Sequence, residues 1–192
     1  MTTLPPHRIS PEEYVALEEK LGAKLEYHDG QIFAMSGASS NHSLVLVNLT
    51  SEVSPRLRNK GCRAFLNDFR VVIEVADMAT YPDLSIVCGP VVPAPRYQHS
   101  CTNPTVLFEV LSPSTEAYDR GTKFEQYRKL ATLREYVLVS QTEPAVDLFR
   151  LVDGRWSFLP IRGLDAVLEL ASVQIAVPLA DLYRDVAFDA AE

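Results

Sequence analysis

The sequence predicts a mixed α/β fold of the α+β kind, a central mixed β-sheet flanked by helices. Three observations carry this expectation. The apolar patterns run in the order helix, hairpin, helix, several strands, helix, strands, which places helices on the faces of a sheet. A hairpin near the start and a run of strands near the end argue against a purely parallel sheet. A chain of 192 residues that is 47% hydrophobic can bury a core as one domain spanning residues 1–192.

Ser10-Pro11-Glu12-Glu13 opens a helix, with Ser10 as N-cap, Pro11 in the first helical position and two acids against the positive end of the dipole. Lys24 to Tyr27 and Gln31 to Met35 flank His28-Asp29-Gly30 and read as a hairpin with Asp-Gly in the turn. Beyond a loop from Ser36 to Ser40, residues His42, Leu46, Leu49, Val53 and Leu57 form a stripe at helical spacing, with Pro55 expected to kink that helix or end it early. Cys62 to Leu66, Phe69 to Val75, Leu84 to Cys88 and Thr105 to Leu111 read as successive strands of one sheet. Gly89 to Asn103 is rich in proline, lacks periodicity and reads as a loop. A polar helix near Asp119 to Leu130 follows, then strands at Glu135 to Ser140, Ala145 to Leu151 and Trp156 to Leu159, the last two joined at Asp153-Gly154. Val167 to Ile175 adds one or two strands, Leu179 to Tyr183 a short helix, and a short acidic, loose tail ends the chain.

Composition narrows the function classes. The net charge is -7, so a polyanionic partner would have to be met by a local basic patch, and tight nonspecific DNA binding is disfavoured. The densest basic cluster is Arg56, Arg58, Lys60 and Arg63, whose bland reading is a solvated helix end and whose sharper one is contact with phosphates. Cys62, Cys88 and Cys101 are odd in number and lack Cys-x-x-Cys spacing, which speaks against a zinc site and a disulfide framework and for reduced thiols. No secretory leader pattern is visible and no apolar run reaches the ~20 residues of a membrane helix, so a soluble, cytoplasmic protein is expected.

Chemistry concentrates in Pro104 to Tyr127. Glu109 interrupts the apolar run Val106 to Leu111, and an unpaired carboxylate in a dry strand is costly unless a cation, a metal or water meets it. Asp83 stands at the mouth of the preceding strand, directly after Pro82. Two acids on neighbouring strands repel unless a cation lies between them, and hard oxygens suit Mg²⁺. The backbone carbonyl of Val110 is a further candidate ligand. Asp119, Lys123, Tyr127 and Leu130 share one helical face, so burial of Leu130 would turn Lys123 and Tyr127 toward the sheet.

Pro82-Asp83, then Glu109-Val110-Leu111-Ser112, then Asp119, Lys123 and Tyr127, resembles the Uma-type putative restriction endonuclease family of the PD-(D/E)XK nuclease superfamily. Glu26-Tyr27-His28-Asp29-Gly30, the small-residue loop ending in His42, and Arg134-Glu135-Tyr136 resemble it too. The likeness covers roughly Pro11 to Arg150. It implies a restriction-endonuclease-like fold and hydrolysis of phosphodiester bonds in DNA. It also implies Mg²⁺, with Mn²⁺ as a substitute, held by Asp83, Glu109 and the Val110 carbonyl. Asp83, Glu109 and Lys123 would be the catalytic residues, with Glu26, His42 and Tyr127 in support. The superfamily's usual lysine two residues after the second acid is replaced here by Leu111, so the resemblance assigns that role to Lys123 of the helix.

Each member has an ordinary structural reading: a strand-initiating Asp83, a solvated Lys123 and Glu26, a core Tyr127, a satisfied core His42. The joint pattern raises the site above them. Two other classes remain open, a non-catalytic or regulatory nucleic-acid-binding protein that keeps the nuclease fold, and a metal-dependent hydrolase of small phosphate esters screened by the Gly89 to Asn103 loop. A homodimer is expected from the symmetry of double-strand cleavage.

Overall fold

The computed structural model describes residues 8–34 and 37–188; the expectations placed on Met35, Ser36 and the last four residues lie outside the described residues. Helix α1 (Pro11–Leu21) begins with a reciprocal cap, in which Ser10 Oγ accepts from the Glu13 N–H and Glu13 Oε2 accepts from the Ser10 N–H. Strands β1 (Leu25–His28) and β2 (Gln31–Ala34) pair antiparallel through Asp29 and Gly30, whose φ values of 47° and 81° give the two-residue turn that the sequence predicts. Helix α2 (Ser40–Arg56) stops one residue after Pro55 and buries Val45, Asn48, Leu49 and Val53.

The four central runs do not share a sheet, which corrects the sequence expectation. β3 (Cys62–Leu66), β6 (Leu84–Cys88) and β8 (Val106–Val110) belong to a six-stranded sheet. β4 (Arg70–Ile73) pairs instead with β5 (Met78–Thr80), a strand too short to stand out in the sequence, in a five-stranded sheet that also holds β1 and β2. Tyr81-Pro82-Asp83 carries the chain from one sheet to the other. Pro82 has no N–H to donate, so neither ladder continues through it, and Asp83 is left at the junction. The Gly89 to Asn103 segment also departs from a plain loop, since β7 (Ser100–Cys101) runs parallel to β4.

After β8 the polar segment is α3 (Glu116–Tyr118), a π-helical turn (Asp119–Lys123) and α4 (Phe124–Tyr127). β9 (Glu135–Val139), β10 (Ala145–Val152) and β11 (Arg155–Arg162) complete the six-stranded sheet, whose order is β11-β10-β9-β8-β6-β3. β12 (Val167–Leu170) and β13 (Ile175–Pro178) form a separate ribbon, and α5 (Leu179–Leu182) follows.

Every residue of β8 is buried, because the strand lies inside the six-stranded sheet with packed layers on both faces. Val106, Phe108 and Val110 face a core shared with Val45, Leu49 and Val53 of α2. Leu107 faces the opposite core with Leu111, Tyr127 and Tyr136. The two-residue period therefore sends Glu109 to the side of the polar helix. Each fully buried Leu or Phe contributes roughly 1.5–3 kcal/mol, enough to hold the strand in place despite its acid.

Cys62 and Cys88 are directly opposed in the β3–β6 register and are joined in a disulfide, with Cα atoms 3.9 Å apart. This corrects the expectation of three reduced thiols: spacing along the chain carries no trace of a pairing created by two antiparallel strands. Cys101 stays free and buried, and burial pushes its thiol up to about 12.

Candidate active site

Asp83, at the junction of the two sheets, is held at both oxygens. Its Oδ2 accepts the Val110 N–H at 2.7 Å, which brings the carboxylate to the end of β8 beside Glu109. Its Oδ1 accepts from His42 Nε2 at 3.2 Å. His42 sits in the first turn of α2, where its own N–H is capped by Ser39 Oγ at 3.0 Å. The hydrogen bond to Asp83 raises the His42 pKa above its ordinary value, outweighing burial, which acts the other way.

Glu109 is 5% exposed. Its Oε1 accepts from Tyr127 Oη at 2.8 Å and lies 2.8 Å from Lys123 Nζ. The same ammonium lies 3.0 Å from Glu26 Oε1 and 3.6 Å from Asp119 Oδ1. Lys123 thus folds back from across the turn onto the strand acid, while Leu111 points into the core. The π-helical turn carries both Asp119 and Lys123, and such turns recur at functional sites because they re-aim side chains. Arg120 anchors the segment to the sheet through Asp147, which Arg162 also holds.

Three carboxyl groups therefore share one ammonium. Burial works against the charge on Lys123, but Glu109, Glu26 and Asp119 more than offset it and hold its pKa well above the ordinary value. Burial pushes Glu109 well up, Lys123 opposes this, and the neighbouring acids Asp119, Asp83 and Glu26 add to it. Asp119 is raised for the same leading reason. Glu26, a solvent-facing strand residue by default, is in fact buried and hydrogen-bonded to Thr80 Oγ1.

Asp83, Glu109, Lys123, Glu26, His42, Asp119 and Tyr127 gather in one region, and all but Tyr127 line a single cavity of about 390 Å³. Val110 lines it as well, and its amide, bonded to Asp83, ties the end of β8 to that carboxylate. Among the described residues, no group of three or more His, Cys, Asp or Glu side chains could by itself hold a metal ion. The donor chemistry nonetheless fits Mg²⁺, which keeps most of its waters and takes one or two carboxylates rather than an all-protein cage. The surplus of acids over cations at the cavity points the same way.

Sequence reasoning missed several participants. Gln141 donates through Nε2 to the Leu111 carbonyl at 2.7 Å and also bonds Ser39 Oγ, tying the start of α2 to the end of β8. Phe33 and Tyr118 stack across the cavity wall. Polar and aromatic residues of these types in turns or edge strands carry no spacing signal, so nothing local marks them. None of the Gly89 to Asn103 residues lines the cavity, which removes the expected screen for small substrates. The basic cluster sits at the opposite end of the 17-residue α2 from His42, roughly 21 Å away along the axis, and Arg56 there pairs with Glu52. Among the described residues no helix is long and apolar enough to cross a membrane.

The family model described as "Uma2: Putative restriction endonuclease" matches residues 11–180, which include every residue of the cluster. An uncharacterized protein of Synechocystis sp., slr1290, is 40% identical over 185 residues, 94% of each chain. A second from the same organism, sll1609, is 29% identical over 168 residues, covering 87% of this chain and 95% of its own. In fold, the chain is similar to the crystal structure of a putative nuclease belonging to DUF820 from Anabaena variabilis. That likeness has a TM-score of 0.74 at 20% identity and covers 91% of this chain and 97% of the other.

Proposed function

We propose, because this chain belongs to the Uma2 family of putative restriction endonucleases, that the cavity hydrolyses phosphodiester bonds in DNA with the aid of Mg²⁺. The observation that carries this reading is the convergence of Asp83 and Glu109 on one cavity, with Lys123 2.8 Å from Glu109. Asp83, Glu109 and the Val110 carbonyl are the groups that would hold the ion. When bound, it would supply Lewis-acid polarisation of the phosphodiester and a more acidic water.

The protein's own residues do the rest. Lys123 offsets negative charge that develops on the phosphoryl group, in a site largely screened from water where such an interaction is strong. Tyr127 and Lys123 both hold Glu109 Oε1, which fixes the carboxylate. His42 orients Asp83 and, when protonated, balances its charge. Purified protein with Mg²⁺ or Mn²⁺ is expected to nick plasmid DNA, and Asp83→Ala and Glu109→Ala to lose that activity; undiminished cleavage by both variants would refute the assignment.

The contrary reading, a regulatory protein that binds nucleic acid without turnover, draws on the net charge of -7 and on the distance of the basic cluster from the cavity. Calorimetry separates the two. Metal-independent duplex binding with no cleavage in either metal would favour the regulatory role. Sedimentation of the protein with and without DNA tests for the homodimer.

A further inference from the structure

Beyond its acids, the cavity has an aromatic wall that hydrolysis does not require. Phe33 lies on β2, the edge strand of the five-stranded sheet, and is 39% exposed although it is a large apolar side chain. Its ring stacks on Tyr118 with centroids 6.0 Å apart and planes 28° from parallel, and both rings line the cavity. The Tyr118 hydroxyl is buried and, among the described residues, has no hydrogen-bond partner. Burial pushes its pKa up to about 12, so it remains a donor.

Asp83 and Glu109 are 7% and 5% exposed, so a scissile phosphate reaches them only if the strand enters the cavity. At about 390 Å³ the space is of the size that takes one small ligand, such as a single nucleotide, and not a stack of paired bases. Entry therefore requires an unstacked nucleotide, which is hardest to obtain from continuous duplex and easiest from a single strand. An aromatic face on which a base can stack offsets that requirement without regard to sequence. A chain of net charge -7 gains little from general attraction to phosphates, which increases its dependence on such a contact.

We infer that the cavity seats one unstacked nucleobase against Phe33 and Tyr118, and that the substrate is single-stranded nucleic acid, as an end, a flap or an opened loop, rather than uninterrupted duplex. The inference rests on the reading of this site as a phosphodiesterase.

The test is equilibrium binding of a fluorescent short single strand and of the matching blunt duplex, in EDTA and again with Ca²⁺, followed by cleavage of both in Mg²⁺ and Mn²⁺. The single strand is expected to bind at least tenfold tighter than the duplex, and Phe33→Ala to weaken single-strand binding about tenfold. Phe33→Tyr, which keeps a ring, retains affinity. Equal affinity for the two forms, no measurable binding under either condition, or an unaffected Phe33→Ala variant would each overturn the inference. Single-strand binding as expected with no cleavage would instead defeat the nuclease reading and leave the ligand assignment standing. Duplex cleavage as fast as single-strand cleavage would do the reverse.

Discussion

Two buried ionic clusters flank the Tyr81-Pro82-Asp83 crossover, and they are built on different principles. On one side Glu18 and Arg70 pair one to one, Tyr81 Oη donates to Glu18 Oε1 at 3.0 Å, and the Arg70 guanidinium packs over the rings of Tyr14, Tyr81 and Tyr97 at 5.2–5.5 Å. Charge balances there, and the network ties α1 to the five-stranded sheet. On the other side one ammonium answers three acids, with Asp83 and His42 adjoining, and the group opens onto a cavity. A balanced ion pair is sufficient for architecture. A surplus of buried acid is a standing electrostatic cost, which a fold retains where a cation or a substrate will relieve it.

The largest expected effect separates the clusters outright. Glu109→Gln should lower cleavage by about 10³-fold or more, as for loss of a principal electrostatic group, while thermal unfolding shows stability equal to or above wild type. Glu18→Gln should do the opposite. It leaves the Arg70 guanidinium buried without its counter-charge, costs about 3–5 kcal/mol, and preserves the cleavage rate of the folded fraction. A Glu109→Gln protein that unfolds as readily as Glu18→Gln would erase the distinction.

Lys123→Met is the next test. It removes the shared cation, so three acids are left uncompensated and stability at pH 7 should fall by about 3–5 kcal/mol. Denaturant titration at pH 5 should recover part of that loss as the acids take up protons.

A smaller effect is the pH dependence of the metal-free wild type. The folded Glu109 carboxyl is raised above its ordinary 4.5, and Asp119 above its 3.8. Above those values the unfolded chain releases protons that the folded chain keeps, so this cluster's contribution is greatest at low pH and declines as pH rises from about 4 upward. His42 acts in the same direction, its contribution being present below the ordinary 6.5 and lost as pH rises through the higher folded value. Glu109→Gln should flatten the acidic part of this slope, and urea midpoints measured across pH show whether it does.

The smallest effect concerns a region that should be silent. Native protein should show no thiol titratable by an aromatic disulfide reagent near pH 8, because Cys101 is buried and Cys62 is bonded to Cys88. Reduction should expose two thiols and leave cleavage unchanged, since the bond adjoins the far end of α2 from His42.

Much of the scaffold was legible in the chain. The α1 cap at Ser10, the Asp29-Gly30 turn, the stop at Pro55 and the strand at Val106 to Val110 all formed where local pattern placed them. So did the clue that mattered most, an acid within an otherwise apolar strand. The assignment of β4 to a sheet was not legible, because Arg70 to Ile73 reads the same whether it pairs with β3 or with β5. Met78 to Thr80 was too brief to register as a strand. The Cys62–Cys88 bond, Gln141 and the Phe33–Tyr118 wall depend on partners 26 to 102 residues apart, where sequence spacing carries no information.

Asp83 after Pro82 and Glu109 within an apolar strand were thus legible in the sequence alone, because proline placement and the two-residue period of a strand are properties of a few neighbouring residues, whereas the α-helical face expected for Asp119, Lys123 and Tyr127 is built through a π-helical turn. Tertiary structure alone decided that Lys123 meets Glu109, Glu26 and Asp119 at once, that His42 reaches Asp83, and that an aromatic pair walls the space they share. Those contacts exist only after two sheets have been joined at Pro82 and the π-helical turn has been laid across their seam, an arrangement set by packing over the whole chain.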